Sequence, residues 1–426
     1  MTNDKLIDCL KGKKLLILAG ASLHCKVVEA AKQLGVYTIV TDYMETSPAK
    51  EMADEKWLLN ITDVDAIVER CKAVNIDGVL SVCIDPAQRP YQQICERLGL
   101  PCFGNKQQHY ILTDKQAFKN FCIENSVDTI FEYTIGDIRE DNVVYPILIK
   151  PVDSRGSRGQ TVCYSVDTTE EAIRFAKSES SNGNIIIEKY MAENQDFSMS
   201  YLVVNGEPHL IRTGDRYLGH EADGLSKQCI FAISPSFSTD LYLRNVHPKV
   251  VDFIKNLGIQ NAPLFMQGFL DGDTVRFYDP GLRLPGTEYE ILFSKATGTD
   301  LMKILVTFAL TGIMVCNFGS VSNGYRLNGK YAVQMYISAR AGLIAVFEGL
   351  DRIAKHPDII SISQRYEVGE TIPSSGDVKQ RVCEIGMLAS DADSARKLVK
   401  WVQSNLIVLD EKHENMLVSL IDPDLL

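Results

Sequence analysis

The first hundred residues alternate short apolar runs with stretches of helical periodicity, and this restricts the fold more than any other feature. LLILAG (15–20) is followed by a helical pattern from Cys25 to Leu34. YTIVTD (37–42), a second helical pattern from Val64 to Val74, and GVLSVC (78–83) come next. Strand runs that alternate with helices predict a parallel α/β sheet. The loop after the first run, GASLHCK, lacks G-x-G-x-x-G, although Asp42 ends the second run where a ribose-binding acid sits in dinucleotide folds. A dinucleotide oxidoreductase therefore stays open as one reading, on a weak cofactor signal.

The chain has 426 residues, too many for one ordinary domain, so joins are expected. The first falls at Leu100-Pro101 and Gly104-Asn105, before a helix opened by Thr113-Asp114, both good N-cap residues. A helix from Lys115 to Asn125, the strands YTI and YPILIKP, a Gly/Ser/Arg loop, a helix from Thr169 to Ser178 and the strand NIIIEKY make a compact α+β unit. From Phe197 to Asp279 the runs read as antiparallel strands interrupted by a helix from Pro248 to Leu257, a sheet suited to holding a ligand. The chain then turns through Pro280 and Pro285. The apolar stretch from Ile304 to Cys316 contains Thr307, Thr311 and Gly312 and falls short of the roughly 20 residues that span a bilayer, so it reads as a buried helix. VCEIGMLAS, Asp393 to Ser404 and LIVLD close the chain as strand, helix, strand.

Forty-four basic against 55 acidic residues give a formal charge of -11, which opposes sequence-independent attraction to nucleic acid or anionic lipid. A polyanion would need a locally basic site. The acidic first residues and short apolar run do not have the order of a signal peptide, and 11 cysteines without a C-x-x-C pair suit reduced thiols. A cytoplasmic protein with neither nucleic-acid nor membrane partners is expected.

The local basic site lies in YPILIKPVDSRGSRGQ, residues 145–160. A β-branched strand delivers Lys150, and the loop Asp153-Ser154-Arg155-Gly156-Ser157-Arg158-Gly159 follows Pro151. Glycines let the backbone approach an anion closely and aim N–H groups at phosphate oxygens. The lysine precedes the glycines, so this is not the G-x-x-x-x-G-K-[ST] P-loop.

K-P-x-D-x-x-G-S-x-G, with Asp114-Lys115 opening an upstream helix and E-K-Y (Glu188 to Tyr190) ending a downstream strand, strongly resembles the ATP-grasp superfamily. The resemblance covers nearly the whole chain and implies an α/β and α+β multidomain fold. Residues 1–108 would be an N-terminal parallel α/β pre-ATP-grasp, Rossmann-like domain. Residues 109–320 would be the two-part ATP-grasp clamp, with a lid subdomain at about 127–190, and 321–426 a C-terminal α+β extension completing the ligase core. By the same resemblance Lys115 and Lys150 contact the α and β phosphates of ATP. The loop containing Asp153, Ser154, Arg155, Gly156, Ser157 and Gly159 closes over the β and γ phosphates. Glu188, Lys189, Tyr190 and Met191 read the adenine edge, and Asp196 holds the ribose hydroxyls.

The metal end departs from the family. ATP-grasp enzymes usually hold Mg²⁺ with a Glu on one strand and E-x-N-x-R on the next; here Gln267, Asp279, Gly281 and Arg283 stand at those positions. Gln offers a neutral oxygen, Asp a shorter carboxylate and Gly no side chain, so at least one negative charge is missing. Mg²⁺ (or Mn²⁺) would rest on Asp279, Gln267 and the triphosphate, with Asp271, Asp273, Glu288 or Glu290 assisting if the fold brings one close. Arg283 would be the catalytic residue facing the transferring phosphate. In residues 212–228, Arg212, Arg216, His220 and Lys227 make a candidate substrate wall, from which Arg216 and His220 are singled out, His220 as a general base.

The resemblance implies an ATP-dependent carboxylate-amine ligase. It would activate a small carboxylate as an acyl phosphate for attack by an amine and release ADP and phosphate. A bicarbonate-activating carboxylase like carbamoyl-phosphate synthase, and an ATP-binding protein with weakened catalysis, are the alternatives. Family members often dimerise, which makes a homodimer an option that no segment of the chain specifies.

Overall fold

The computed structural model describes residues 7–152, 159–191, 194–225, 228–314 and 320–426. The Lys14–Leu18 strand (β1), Tyr37–Thr41 (β2), Glu55–Trp57 (β3) and Gly78–Leu80 (β4) form a sheet in the order β3-β2-β1-β4. All three of its pairings are parallel. Leu15 to Leu18 are fully buried, as a parallel strand covered on both faces requires. The connecting helices are Cys25–Gln33 (α1), Val64–Val74 (α2) and Gln88–Leu98 (α3), with Asp63 capping α2 through the Ala66 N–H. Asp42, the candidate ribose acid of the dinucleotide reading, spends both carboxylate oxygens locally, on the N–H groups of Gly20 and Met44 at 2.8 Å each.

The clamp opens with the helix Lys115–Glu124 (α4), capped by the Asp114 side chain on the Ala117 N–H at 2.9 Å. A small antiparallel sheet follows, built from Glu132–Tyr133 (β5), Ile147–Pro151 (β6), Thr161–Cys163 (β7) and Ile185–Lys189 (β8) in the order β5-β8-β6-β7. The Thr169–Glu179 helix (α5) packs on it around the separate apolar cluster of Ile147, Ile149, Cys163, Ala172, Ala176 and Ile187.

The large sheet has nine strands. Its main path joins Asp196–Val204 (β9), Glu207–Leu218 (β10), Cys229–Ser234 (β11), Ala262–Asp271 (β12), Thr274–Gly281 (β13), Tyr331–Ala339 (β14), Ile359–Gln364 (β15) and Arg381–Ala389 (β16), in the order β13-β12-β9-β10-β11-β14-β16-β15. It runs unbroken past residue 320, because β14 pairs antiparallel with β11. The helix His247–Asn256 (α6) interrupts the early strands close to the expected position.

The stretch expected as a helix over 304–316 forms the helix Leu301–Thr311 (α8), which starts earlier and stops short because Gly312 takes a left-handed φ of +74° as its C-cap; Tyr289–Thr297 (α7) precedes it. α8 returns to pack on α1, β1 and β4, tying the clamp to the N-terminal sheet. The approach is close at Gly78, where a Cβ would lie 2.4 Å from the Ala309 carbonyl oxygen. No helix among the described residues is long and apolar enough to cross a membrane.

Candidate active site

Sheet register builds the acidic end of the site. Asp279 on β13 stands directly opposite Gln267 on β12, and Gln267 opposite Ser198 on β9. Directly paired residues share a face, so these three side chains form one row. Gly281 lies two residues on, opposite Phe265, whose ring would be 2.8 Å from any Cβ at that position. Phe265 therefore fills the space that the family's asparagine would use. Arg283 lies over the same ring, with its guanidinium carbon 4.3 Å from the centroid.

Arg283 is buried and its fork is engaged. Nε and one terminal nitrogen donate to the two oxygens of Asp85 at 2.7 and 3.0 Å, and the other donates to the carbonyls of Leu284 and Cys83 at 3.0 and 3.3 Å. Asp85 begins a short turn just after β4, at the carboxyl end of a parallel strand, where open α/β sheets place ligand-binding groups. Burial, followed by the Asp85 carboxylate, pushes the Asp279 carboxyl up to about 6 against the opposing pull of Arg283, Lys115 and Lys150. Arg283, Lys115 and Lys150 are thus the cations whose charge acts most on Asp279.

Asp279 and Gln267 are hard oxygen donors, and the raised Asp279 is a charge that a cation would relieve. They fit Mg²⁺ as a partial set. Among the described residues no three His, Cys, Asp or Glu side chains cluster as a metal site, so the remaining ligands would be phosphate and water. Asp271 is paired with Arg276 at the far turn of the β12–β13 hairpin, and Asp273 is exposed there. Glu290 is buried beside Cys83, Lys26 and Arg212, and burial pushes it up to about 7. Glu288 neighbours Glu384 and Lys26. None of these four is among the leading charges acting on Asp279.

At the lysine end Lys150 lies on β6 and Lys115 at the first position of α4, where its N–H reaches the Val152 carbonyl at 3.4 Å. Lys150 is buried and forms an ion pair with Glu188 Oε2, while Lys119 takes Glu188 Oε1 at 2.7 Å and Glu132 at 3.2 Å. Burial pushes the Glu188 carboxyl up, but Lys150 and Lys119 outweigh it and hold the group below the usual glutamate range. The Glu188 side chain is thus turned to the lysines. Lys189 is exposed, Met191 is buried, and the N–H groups of Lys189 and Tyr190 bond the carbonyls of Phe131 and Pro146 at 3.0 Å each. Gly159 has φ +71°, and a Cβ there would meet Glu179 and Pro151 at 2.8 Å. Asp153, Ser154, Arg155, Gly156 and Ser157, like Lys227, lie outside the described residues.

Asp196 is buried at the start of β9. Its Oδ2 accepts from Arg216 at 2.8 Å and from the Tyr278 hydroxyl at 3.3 Å, whereas Oδ1 is buried without a partner. Burial raises its pKa against the nearby Arg216. Arg216 therefore belongs with Asp196. His220 is exposed, its ring 3.7 Å from Asp223, and is not joined to the Asp279 row by any hydrogen bond or ion pair. Arg212 is buried over the Tyr289 ring at 4.7 Å and donates to Ser234 at 3.2 Å.

Sequence reasoning passed over Asp85, Lys119, Glu132 and Tyr278. Lys119 had a usable signal, since residues four apart on a helix share a face and Lys119 follows Lys115 by four. Asp85, Glu132 and Tyr278 reach their partners only through tertiary contacts.

Fold and site together define a nucleotide-clamp protein, a Rossmann-like sheet joined to a two-part clamp with lysines at one end and an oxygen-donor row at the other. The comparisons give the family. Residues 15–91 match the PylC-like, N-terminal domain, and residues 137–313 match the carbamoyl-phosphate synthase L chain, ATP binding domain. The chain belongs to the ATP-grasp superfamily. It is 23% identical over 274 residues to a formate-dependent phosphoribosylglycinamide formyltransferase of Prochlorococcus marinus, covering 60% of this chain and 67% of that one. With the enzyme of the same name from Sulfurisphaera tokodaii it is 25% identical over 253 residues, 56% of this chain and 59% of the other. Among solved structures, phosphoribosylglycinamide synthetase from Anaerococcus prevotii superposes with a TM-score of 0.75 at 18% identity, covering 94% of this chain and 100% of that one. L-amino acid ligase from Bacillus licheniformis gives 0.75 at 17%, covering 94% and 99%. At these identities the structural likeness speaks for the fold.

Proposed function

We propose that this chain is an ATP-dependent ligase that activates a small carboxylate as an acyl phosphate and passes it to an amine, releasing ADP and phosphate. The observation that carries the reading is the row in which Asp279 pairs with Gln267, under the charge of Arg283, Lys115 and Lys150. Phosphoryl transfer is catalysed chiefly by positioning and electrostatics, and these groups supply both. The names of the relatives are consistent with it: formate is a carboxylate and a glycinamide is an amine, and an amino acid ligase shares the fold.

In this reading Lys115 and Lys150 hold the α and β phosphates, and the loop at 153–159 covers the β and γ phosphates. The hinge at Glu188, Lys189, Tyr190 and Met191 receives the adenine. Asp196 takes a ribose hydroxyl; its unpartnered Oδ1 supports this, because a buried acceptor without a donor is costly. Mg²⁺ or Mn²⁺ would rest on Asp279 and Gln267 and neutralise phosphate charge. Arg283, released from Asp85 or sharing it, stabilises the transferring phosphoryl group. Arg216 acts through Asp196, and His220 belongs to the outer substrate wall. The test is ADP and phosphate release across a panel of carboxylic acids and amines with Mg²⁺. Tight ATP binding without turnover on any pair would refute the ligase reading, and thermal stabilisation by NADH but not ATP would refute the nucleotide assignment.

A further inference from the structure

Glu188 on β8 and Glu132 on β5 are direct cross-strand partners, an arrangement that is unfavourable for two carboxylates. Lys119 resolves it by contacting both, at 2.7 and 3.2 Å, from a side chain only 5% exposed. Lys150 occupies the other oxygen of Glu188. With Glu132, whose side chain is 34% exposed, two ammoniums meet two carboxylates and the cluster is neutral, and Glu188 itself is held by two lysines, each on its own oxygen.

We infer that Lys119 is a positioning residue for ATP: by neutralising Glu188 it leaves the charge of Lys150 available to a phosphate. The inference rests on the nucleotide reading above. Without Lys119, Lys150 is the one lysine among the described residues left in an ion pair with Glu188, and a phosphate must compete with Glu188 for it. A lysine that merely bridged two acids would affect folding and leave this competition unchanged.

A mutant cycle read by calorimetric titration with ATP separates these roles. Lys119→Met is expected to weaken ATP binding by at least about tenfold, about 1.4 kcal/mol. Adding Glu188→Gln to that variant removes the competitor and is expected to restore most of the affinity. An unrestored double variant, or wild-type affinity in Lys119→Met, overturns the inference. Melting temperatures verify that each variant is folded. Should Lys119→Met be unfolded, Glu188→Gln alone decides: Lys119 keeps Glu132 while Lys150 loses its competing carboxylate, so ATP is expected to bind more tightly, and weaker binding overturns the inference. If the wild-type protein binds no ATP, the nucleotide reading fails and this inference fails with it. Wild-type binding with an unrestored double variant fails this inference alone.

Discussion

Gln267→Glu supplies the carboxylate that the family places beside the second acid, and its effects follow from the register. Gln267 and Asp279 are directly opposed on β12 and β13, so the new carboxylate would sit about 5 Å from the old one, the usual cross-strand Cβ spacing. At an effective dielectric near 20, two like charges at that distance repel by about 3 kcal/mol. Both positions are partly open to solvent, which screens the repulsion to roughly 1–2 kcal/mol. Asp279 is already pushed up to about 6 by burial and by Asp85, and a second carboxylate drives it higher. Without metal the variant should therefore melt lower than the wild type. Mg²⁺ with ATP should reverse the order, because a divalent cation gains a charged ligand in place of a neutral amide oxygen. The assay is thermal unfolding with and without Mg²⁺ and a non-hydrolysable ATP analogue, alongside the Mg²⁺ concentration for half-maximal ADP release. A variant with unchanged metal-free stability and an unchanged Mg²⁺ requirement would refute the placement of the cation between these strands.

Much of this site could be read along the chain because its parts are local. The Lys150 strand and its glycine loop, the Asp114 cap before Lys115, and the Asp279-to-Arg283 run are each contiguous, so spacing alone exposes them. The strands and helices were equally legible where periodicity was strong, as in the buried β1 and in α8, whose apolar run was expected to be a core helix. Contacts between distant segments were hidden. Asp85 meets Arg283 across 198 positions and Lys119 meets Glu188 across 69. A carboxylate's partner at such separation is chosen by how whole elements dock. The same reason explains Gly281: the sequence displays a missing side chain, and only the β12 pairing shows that Phe265 fills its place. Asp196 shows the limit from the other side. Its residue type suggested a sugar-binding acid, but its partners Arg216 and Tyr278 lie on two other strands. A reading of the motif alone assigns the acid without the arginine that keeps it ionisable.

Lys150→Ala should weaken ATP binding at least about tenfold by titration calorimetry, since it removes a buried cation from the strand that leads into residues 153–159; wild-type affinity would contradict its role. Gly78→Ala should cost roughly 1–3 kcal/mol in thermal or denaturant unfolding, because the added Cβ meets a backbone carbonyl that cannot yield without moving α8. Asp279 provides the pH test. Its carboxyl is raised from 3.8 to about 6, so the folded state binds this proton more tightly than the unfolded chain does. The stabilisation it contributes is therefore fully present below pH 4 and is lost as pH rises through 6. Sealed from water this difference would be worth roughly 3 kcal/mol, and the partial exposure of Asp279 reduces it to roughly 1–2 kcal/mol. The metal-free protein should lose that stability between those limits relative to Asp279→Asn, which cannot titrate. Catalysis should run the other way, since only the ionised carboxylate is a good Mg²⁺ ligand: turnover at limiting Mg²⁺ should fall as pH drops below 6 and recover when Mg²⁺ is raised. Parallel stability curves for wild type and Asp279→Asn would show that Asp279 is not the strained acid of this site, and a pH-independent Mg²⁺ requirement would show that it is not the metal's ligand.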